Sequence, residues 1–224
     1  PESVDLFVGR LATNVLEESS VGVIVTSGNP DATIDNALAG VDFRYLNTRL
    51  GDGRVLQATA WYQKTETDGL EGDDSAYGIN FEMPNSEGWR GELGYTVLEE
   101  NYFPALGFAN RTDVTETETE IGYTWRPENS WIRAIETGVD GEFVISINGR
   151  DQTNEIELKA FEIENQSADL LTLAHYFVEE QLTEAFEISD GIVIPAKTYD
   201  YDYTCATLIT GQQRVMATES TICD

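Results

Sequence analysis

Apolar and polar residues alternate with a period of two along most of this chain. Between Val41 and Tyr45, the side chains of Val41, Phe43 and Tyr45 fall on one face of an extended segment, and Asp42 and Arg44 on the other. Tyr77, Ile79, Phe81 and Met83 alternate in the same way with Gly78, Asn80 and Glu82; Trp89, Leu93, Tyr95 and Val97 oppose Arg90, Glu92, Gly94 and Thr96. The clearest run extends from Val114 to Pro127. Thr115, Thr117, Thr119, Ile121, Tyr123 and Trp125 share one face, and Glu116, Glu118, Glu120, Gly122, Thr124 and Arg126 the other. This pattern predicts β-strands. Helical spacing is confined to Ala168–Leu182, which is nearly continuous in its apolar part and fits a strand as well.

Turn signals punctuate the runs: Gly51-Asp-Gly53, Pro84 to Gly88, Pro127-Glu-Asn129, Asp140-Gly141 and Asn148-Gly149. Longer polar connections lie at Asn29 to Asn36 and Thr65 to Ser75. Hairpin counting then predicts an all-β, antiparallel up-and-down meander of roughly 11 to 13 strands. No composition break marks a boundary, so residues 1–224 read as a single β domain. Two architectures share this pattern: a transmembrane β-barrel, or a segment of one, turns its apolar faces to lipid, and a soluble β-sandwich turns them inward. Long segments, aromatics at segment ends (Trp89, Trp125, Trp131) and charge in mid-strand lean towards the barrel. In the sandwich, Trp61, Trp89, Trp125 and Trp131 would divide between a core and an exposed platform.

Charge narrows the partners. Thirteen Lys and Arg face 41 Asp and Glu, a net charge of −28. Nucleic acid is excluded, since its binding rests on cations that neutralise phosphates; attraction to anionic headgroups is equally disfavoured. No apolar run is long enough for a membrane helix, whereas a membrane strand needs only about 9 to 11 alternating residues. The chain opens on Pro1 with no leader-like segment, which reads as a processed product or a piece of something longer. Cys205 and Cys223 are either one disulfide of an oxidising compartment or two buried thiols. Two cysteines and one histidine do not make a structural zinc site, and no cofactor or metal is expected.

Glu116, Glu118 and Glu120 project from one face at two-residue spacing, as a cation-attracting stripe in a lumen would, or as an ordinary solvated face. Asp42, Arg44, Arg90, Glu92 and Arg126 place mixed charge on polar faces, where ion pairs would brace a lumen. Phe103-Pro104 with Leu106-Gly107-Phe108 interrupts the alternation and predicts a strand end, an inward fold or an edge. His175 stands alone without a nucleophile motif, so no enzyme is expected; paired carboxylates of a glycoside hydrolase are a distant third reading. Asn165-Gln-Ser167 matches the glycosylation acceptor pattern.

Several stretches resemble a known family in order and rough spacing. They are Phe7-Val-Gly-Arg10, Gly40-Val-Asp-Phe-Arg-Tyr45, Asn101-Tyr-Phe-Pro-Ala-Leu-Gly-Phe-Ala-Asn-Arg111, and Phe186 to Arg214 with Ile194-Pro195, Tyr199/Tyr201/Tyr203 and Thr210-Gly-Gln-Gln-Arg214. The family is the bacterial domain of unknown function 5916. Its members look like outer-membrane β-barrels, usually preceded by a module like carbohydrate-binding module family nine. The resemblance covers only the middle of such a protein: the N-terminal module is missing, and the chain closes on Thr-Ile-Cys-Asp224 rather than on an aromatic strand end. It implies a non-enzymatic barrel of the bacterial outer membrane, in a lipid bilayer, with further chain segments or subunits completing it. The implied task is passage of a small solute or glycan-related uptake. The alternative is a secreted acidic β-sheet module that binds carbohydrate or protein.

Overall fold

The computed structural model describes residues 4–31, 34–149, 151–182, 184–189 and 191–224; Pro1, on which the reading of a processed start rests, lies outside them. The strands in chain order are β1 (Phe7–Val15), β2 (Ser19–Ser27), β3 (Asn36–Leu50), β4 (Arg54–Thr67), β5 (Ser75–Met83), β6 (Gly88–Leu98), β7 (Val114–Trp125), β8 (Ile132–Ser146), β9 (Asp151–Asn165), β10 (Leu170–Gln181), β11 (Phe186–Ser189), β12 (Ile192–Ile194), β13 (Thr198–Ile209) and β14 (Glu219–Cys223). Twelve form one antiparallel meander in the order β1 to β10, then β13 and β14; β11 and β12 form a separate two-stranded ribbon. The fold is all-β, as the period of two predicts. Among the described residues no ladder joins β1 to β14.

Two local readings change. Ala168–Leu182 holds a strand, β10, whose backbone groups are satisfied by ladders to β9 and β13. Asp140-Gly141 is not a turn but the middle of β8. Its glycine serves packing: a Cβ there would lie 2.9 Å from both the Phe143 ring and Thr119 Oγ1.

Because neighbours run antiparallel, the connections alternate between the two ends of the strands. Those at 16–18, 51–53, 84–87, 126–131 and 166–169 are short, with 210–218 the longest of that set. The other set is 28–35, 68–74, 99–113, 147–150 and 182–197; it holds the two longest connections, 99–113 and 182–197, together with the short one at 147–150.

The chain groups into two compact units, one of residues 1–83, 93–117 and 145–150, the other of 84–92, 118–144 and 151–224. In the first, the register aligns Leu11, Val23, Val41, Tyr62 and Tyr77 in one row across five strands. Every member of that row is exposed, as are Val25, Phe43, Ile79, Phe81 and Met83 on the same face. Each is at least 40% exposed, a joint area on the order of 900 Å², above the roughly 300–600 Å² of the largest apolar patch on an ordinary soluble monomer. The opposite face is the covered one. There Leu38, Ala76 and Tyr102 form a small core, joined by Ile24, Trp61, Leu98 and Ala109.

Tyr102 reaches this face because the 99–113 connection folds inward, one of the outcomes the interrupted alternation predicts. Its hydroxyl donates to Gln63 Oε1. Asn36 Nδ2 donates to the Phe103 carbonyl (2.8 Å), and the Phe103 N–H donates to Thr65 Oγ1 (3.2 Å). Pro104 has no N–H to lose, and Asn36 Oδ1 receives the Ala105 N–H (3.3 Å). Backbone that left the ladder is thereby satisfied by side chains of the polar face.

The second unit repeats the segregation. Trp89, Ile121, Tyr123, Trp125, Leu171 and Phe177 are exposed. Gly122, Thr124, Ala134, Ala174 and Val178 are buried on the other face. A bulge at Ala160 keeps β9 in phase: Lys159 is opposite Ala174 and Phe161 opposite Leu173, so Glu157, Lys159, Glu162 and Glu164 stay on the polar side.

Candidate functional site

The polar faces are braced by arginines that reach past a neighbouring strand, and glycine makes the reach possible. In the first unit, Arg10 on β1 crosses β2 to Asp42 on β3 (Nη2–Oδ2 2.9 Å). Gly22 is in register with Asp42, and a Cβ there would sit 2.6 Å from Asp42 Oδ2 and 3.0 Å from Arg10 Nη2. In the second unit, Arg90 on β6 pairs with Glu120 on β7 (2.5 Å) and with Glu136 on β8 (2.5 Å). A Cβ on Gly122 would lie 2.8 Å from Arg90 Nε. Lys159 Nζ closes the network on Glu136 Oε1 at 3.1 Å. These four side chains are only 17–23% exposed, so their charges face each other with little screening.

Beside this network lies a cleft of about 230 Å³ lined by Glu92, Glu118, Glu120, Asp140, Glu142, Glu155 and Glu157, with Thr119 and Gly141. Seven carboxylates surround a space whose nearest cations, Arg90 and Lys159, are engaged by Glu120 and Glu136. Asp140 Oδ2 is shielded from solvent and accepts no hydrogen bond from the described residues. Yet among the described residues no three His, Cys, Asp or Glu converge closely enough to hold a metal ion. Carboxylates grouped in this way give the cleft a negative potential.

The predicted residues distribute unevenly. Glu118 and Glu120 enter the cleft; Glu116, on the same strand, belongs to the first unit. Asp42 and Arg90 are ion-paired as described, and Glu92 lines the cleft. Arg44 donates to Gln57 Oε1 (2.6 Å), and Arg126 Nε to the Ser86 carbonyl (2.9 Å), bracing a turn. Sequence reasoning missed Glu136, Asp140, Glu142, Glu155, Glu157 and Lys159. Their signal was present as Glu136-x-x-x-Asp140-x-Glu142 and Glu155-x-Glu157-x-Lys159, both of one-face spacing.

Cys205 and Cys223 are opposite each other on β13 and β14 and are joined by a disulfide. His175 is a packed strand residue. Its Nδ1 lies 3.0 Å from Thr204 Oγ1, its Nε2 3.7 Å from Asp202 Oδ2, and its ring meets Phe177 edge-on. Trp61 lies half-buried over Gly78, whereas Trp89, Trp125 and Trp131 are 62%, 53% and 70% exposed. No helix among the described residues is long and apolar enough to cross a membrane, which says nothing about crossing by strands.

Compared with known proteins, the chain matches no family model, no curated protein and no solved structure.

Proposed function

We propose that this chain forms a stretch of wall in a β-barrel of the bacterial outer membrane, and that it serves passage or capture of a small solute rather than catalysis. The observation that carries the reading is the inverted burial. In both units large apolar side chains are exposed on one face; the covered face carries the Arg90–Glu120–Glu136 network in the second unit, and in the first a small core of Leu38, Ala76 and Tyr102 beside buried Asn36 and Thr65. A soluble sandwich favours the opposite arrangement, whereas lipid favours this one.

Other features agree. Strands of 9 to 15 residues, from β1 to β10, suffice to cross the hydrocarbon layer when tilted. Trp89 and Tyr123 pack edge to face at 5.2 Å near the ends of β6 and β7, where an interfacial girdle would sit. The two longest connections, 99–113 and 182–197, leave the same end of the strands, as the long loops of such barrels do. The disulfide suits an oxidising compartment outside the cytoplasm. The likeness to the domain of unknown function 5916 points the same way, and any link to glycans rests on that likeness alone. Among the described residues strands β1 and β14 have one neighbour each, so further chain or another subunit would cover their outer edges.

Fractionation of the native protein tests this. Release only by detergent, after high-salt and alkaline washes have failed, with a mobility shift between unboiled and boiled samples, is the expected result. Release by buffer or salt without a shift would sink it and favour the secreted module.

A further inference from the structure

We propose that the tyrosines of β10 and β13 on the polar face of the second unit form a binding track for small organic cations of the alkylammonium type. Tyr199, Tyr201 and Tyr203 share one face of β13, and Tyr176 of β10 is in register with Tyr203. Tyr176 and Tyr203 stack at 4.7 Å between centroids and 14° between planes; Tyr201 continues the stack at 6.2 Å and 19°. Carboxylates border this row. Glu157 is opposite Tyr176, and Glu155 is opposite Val178, whose other neighbour is Tyr201. The row thus continues the acidic cleft, which Glu155 and Glu157 also line.

The chain itself supplies the sign and chemistry of the occupant. The ammonium of Lys197 sits 4.5 Å from the centroid of Tyr199, the first tyrosine of the row. A ring face next to carboxylates attracts a cation through its quadrupole and through the anionic field together. Tyr201 is 49% exposed, and among the described residues no Lys or Arg of the chain sits over its ring. A flat sugar platform is a poorer fit, because the stack covers the faces within it and leaves only the outer side of the half-exposed Tyr201, room for a compact cation rather than an extended sugar ring. A metal ion is a poorer fit too, because no chelating set converges here among the described residues. An alkylammonium needs neither: it needs a π-face and nearby negative charge.

This inference names the solute class of the proposed barrel and rests on that reading for its meaning, but the binding step requires only the folded sheet face. The test titrates detergent-extracted native protein with benzyltrimethylammonium at fixed ionic strength, following the probe's methyl signals by NMR and the heat by calorimetry. Saturable binding with methyl signals shifted upfield by the ring current is expected. Tyr201→Leu should weaken it about tenfold and Tyr201→Phe hardly at all. Glu157→Gln, which removes one charge beside the row at nearly constant size, should weaken it about threefold. Lys197→Met, which removes the internal competitor at Tyr199, should strengthen binding. Equal affinity in the wild type and Tyr201→Leu, or methyl signals that do not move, overturns the proposal. Binding by a protein that fractionation finds soluble would uphold the track and reject the barrel; no binding by a detergent-requiring protein would do the reverse.

Discussion

At the residue scale, one device recurs: an arginine spans a strand over a glycine to meet a carboxylate two strands away. Arg10 does so over Gly22, and Arg90 over Gly122. Burial separates the two energetically. Arg10 and Asp42 are 51% and 31% exposed, a setting in which an ion pair contributes about 0–1 kcal/mol. Arg90, Glu120 and Glu136 are 18–23% exposed, and displacing the guanidinium would strand two half-buried carboxylates, at a cost of about 2–4 kcal/mol. Gly122→Ala should therefore destabilise the protein clearly more than Gly22→Ala in denaturant unfolding of the detergent-solubilised protein. In an Arg90→Met background the cost of Gly122→Ala should largely vanish, because the clash is with Arg90. Equal costs for the two glycine substitutions would contradict this account.

At the element scale, the 166–169 turn and the 210–218 connection are latched together by one carboxylate. Asn165 Oδ1 receives the N–H groups of Ser167 (2.7 Å) and Asp169 (3.0 Å), forming the turn. Its Nδ2 donates to Asp169 Oδ2 (2.8 Å), so the side chain that matches a glycosylation acceptor is already engaged. Asp169 Oδ1 then receives Arg214 Nε (2.7 Å) and the Gly211 N–H (3.0 Å). The Arg214 hydrogen bond above all, then the Gly211 amide and Asn165, holds the Asp169 carboxyl well below the usual aspartate range. A folded-state value below the unfolded one means that the latch contributes fully above the ordinary aspartate pKa of about 3.9 and weakens as pH falls from there towards the folded value. In a carboxyl NMR titration Asp169 should stay ionised through the range where other aspartates protonate, and Arg214→Ala should move it up towards that range, the Gly211 amide and Asn165 still holding it below. A wild-type Asp169 that titrates with the others would refute the latch.

Strand periodicity also shows what was legible at this scale. Most strands were readable because one face is apolar and the other polar. β10 was ambiguous because both its faces carry apolar residues: Leu171, Leu173 and Phe177 on one, Leu170, Ala174 and Val178 on the other. The cleft was half legible for a related reason. Glu118 and Glu120 stand on a strand of regular alternation, but Asp140 was hidden by a dipeptide that resembles a turn, and Glu155 and Glu157 precede a bulge that shifts the phase of β9. Cross-strand register, which brings these carboxylates together, is a tertiary property that one strand's pattern does not contain.

At the scale of the whole molecule, the distribution of charge decides what a lumen would pass. The net charge of −28 is unevenly placed: large apolar side chains dominate one face of each unit, and seven carboxylates meet in one cleft on the other. Carboxylates grouped around an aqueous path raise the local concentration of cations and repel anions, an effect that salt screens over about 10 Å at 0.1 M. In planar bilayers across a KCl gradient, the protein extracted in its native assembly should show a reversal potential displaced towards that of potassium, more strongly at low salt. Asp140→Asn with Glu118→Gln removes two charges from the cleft while leaving Arg90, Lys159 and their partners in place, and should lower the cation preference without closing the conductance. Anion preference in the wild type would contradict the assignment of the acidic face to a lumen. A preference that the double substitution leaves unchanged would place the selecting charges elsewhere on the path.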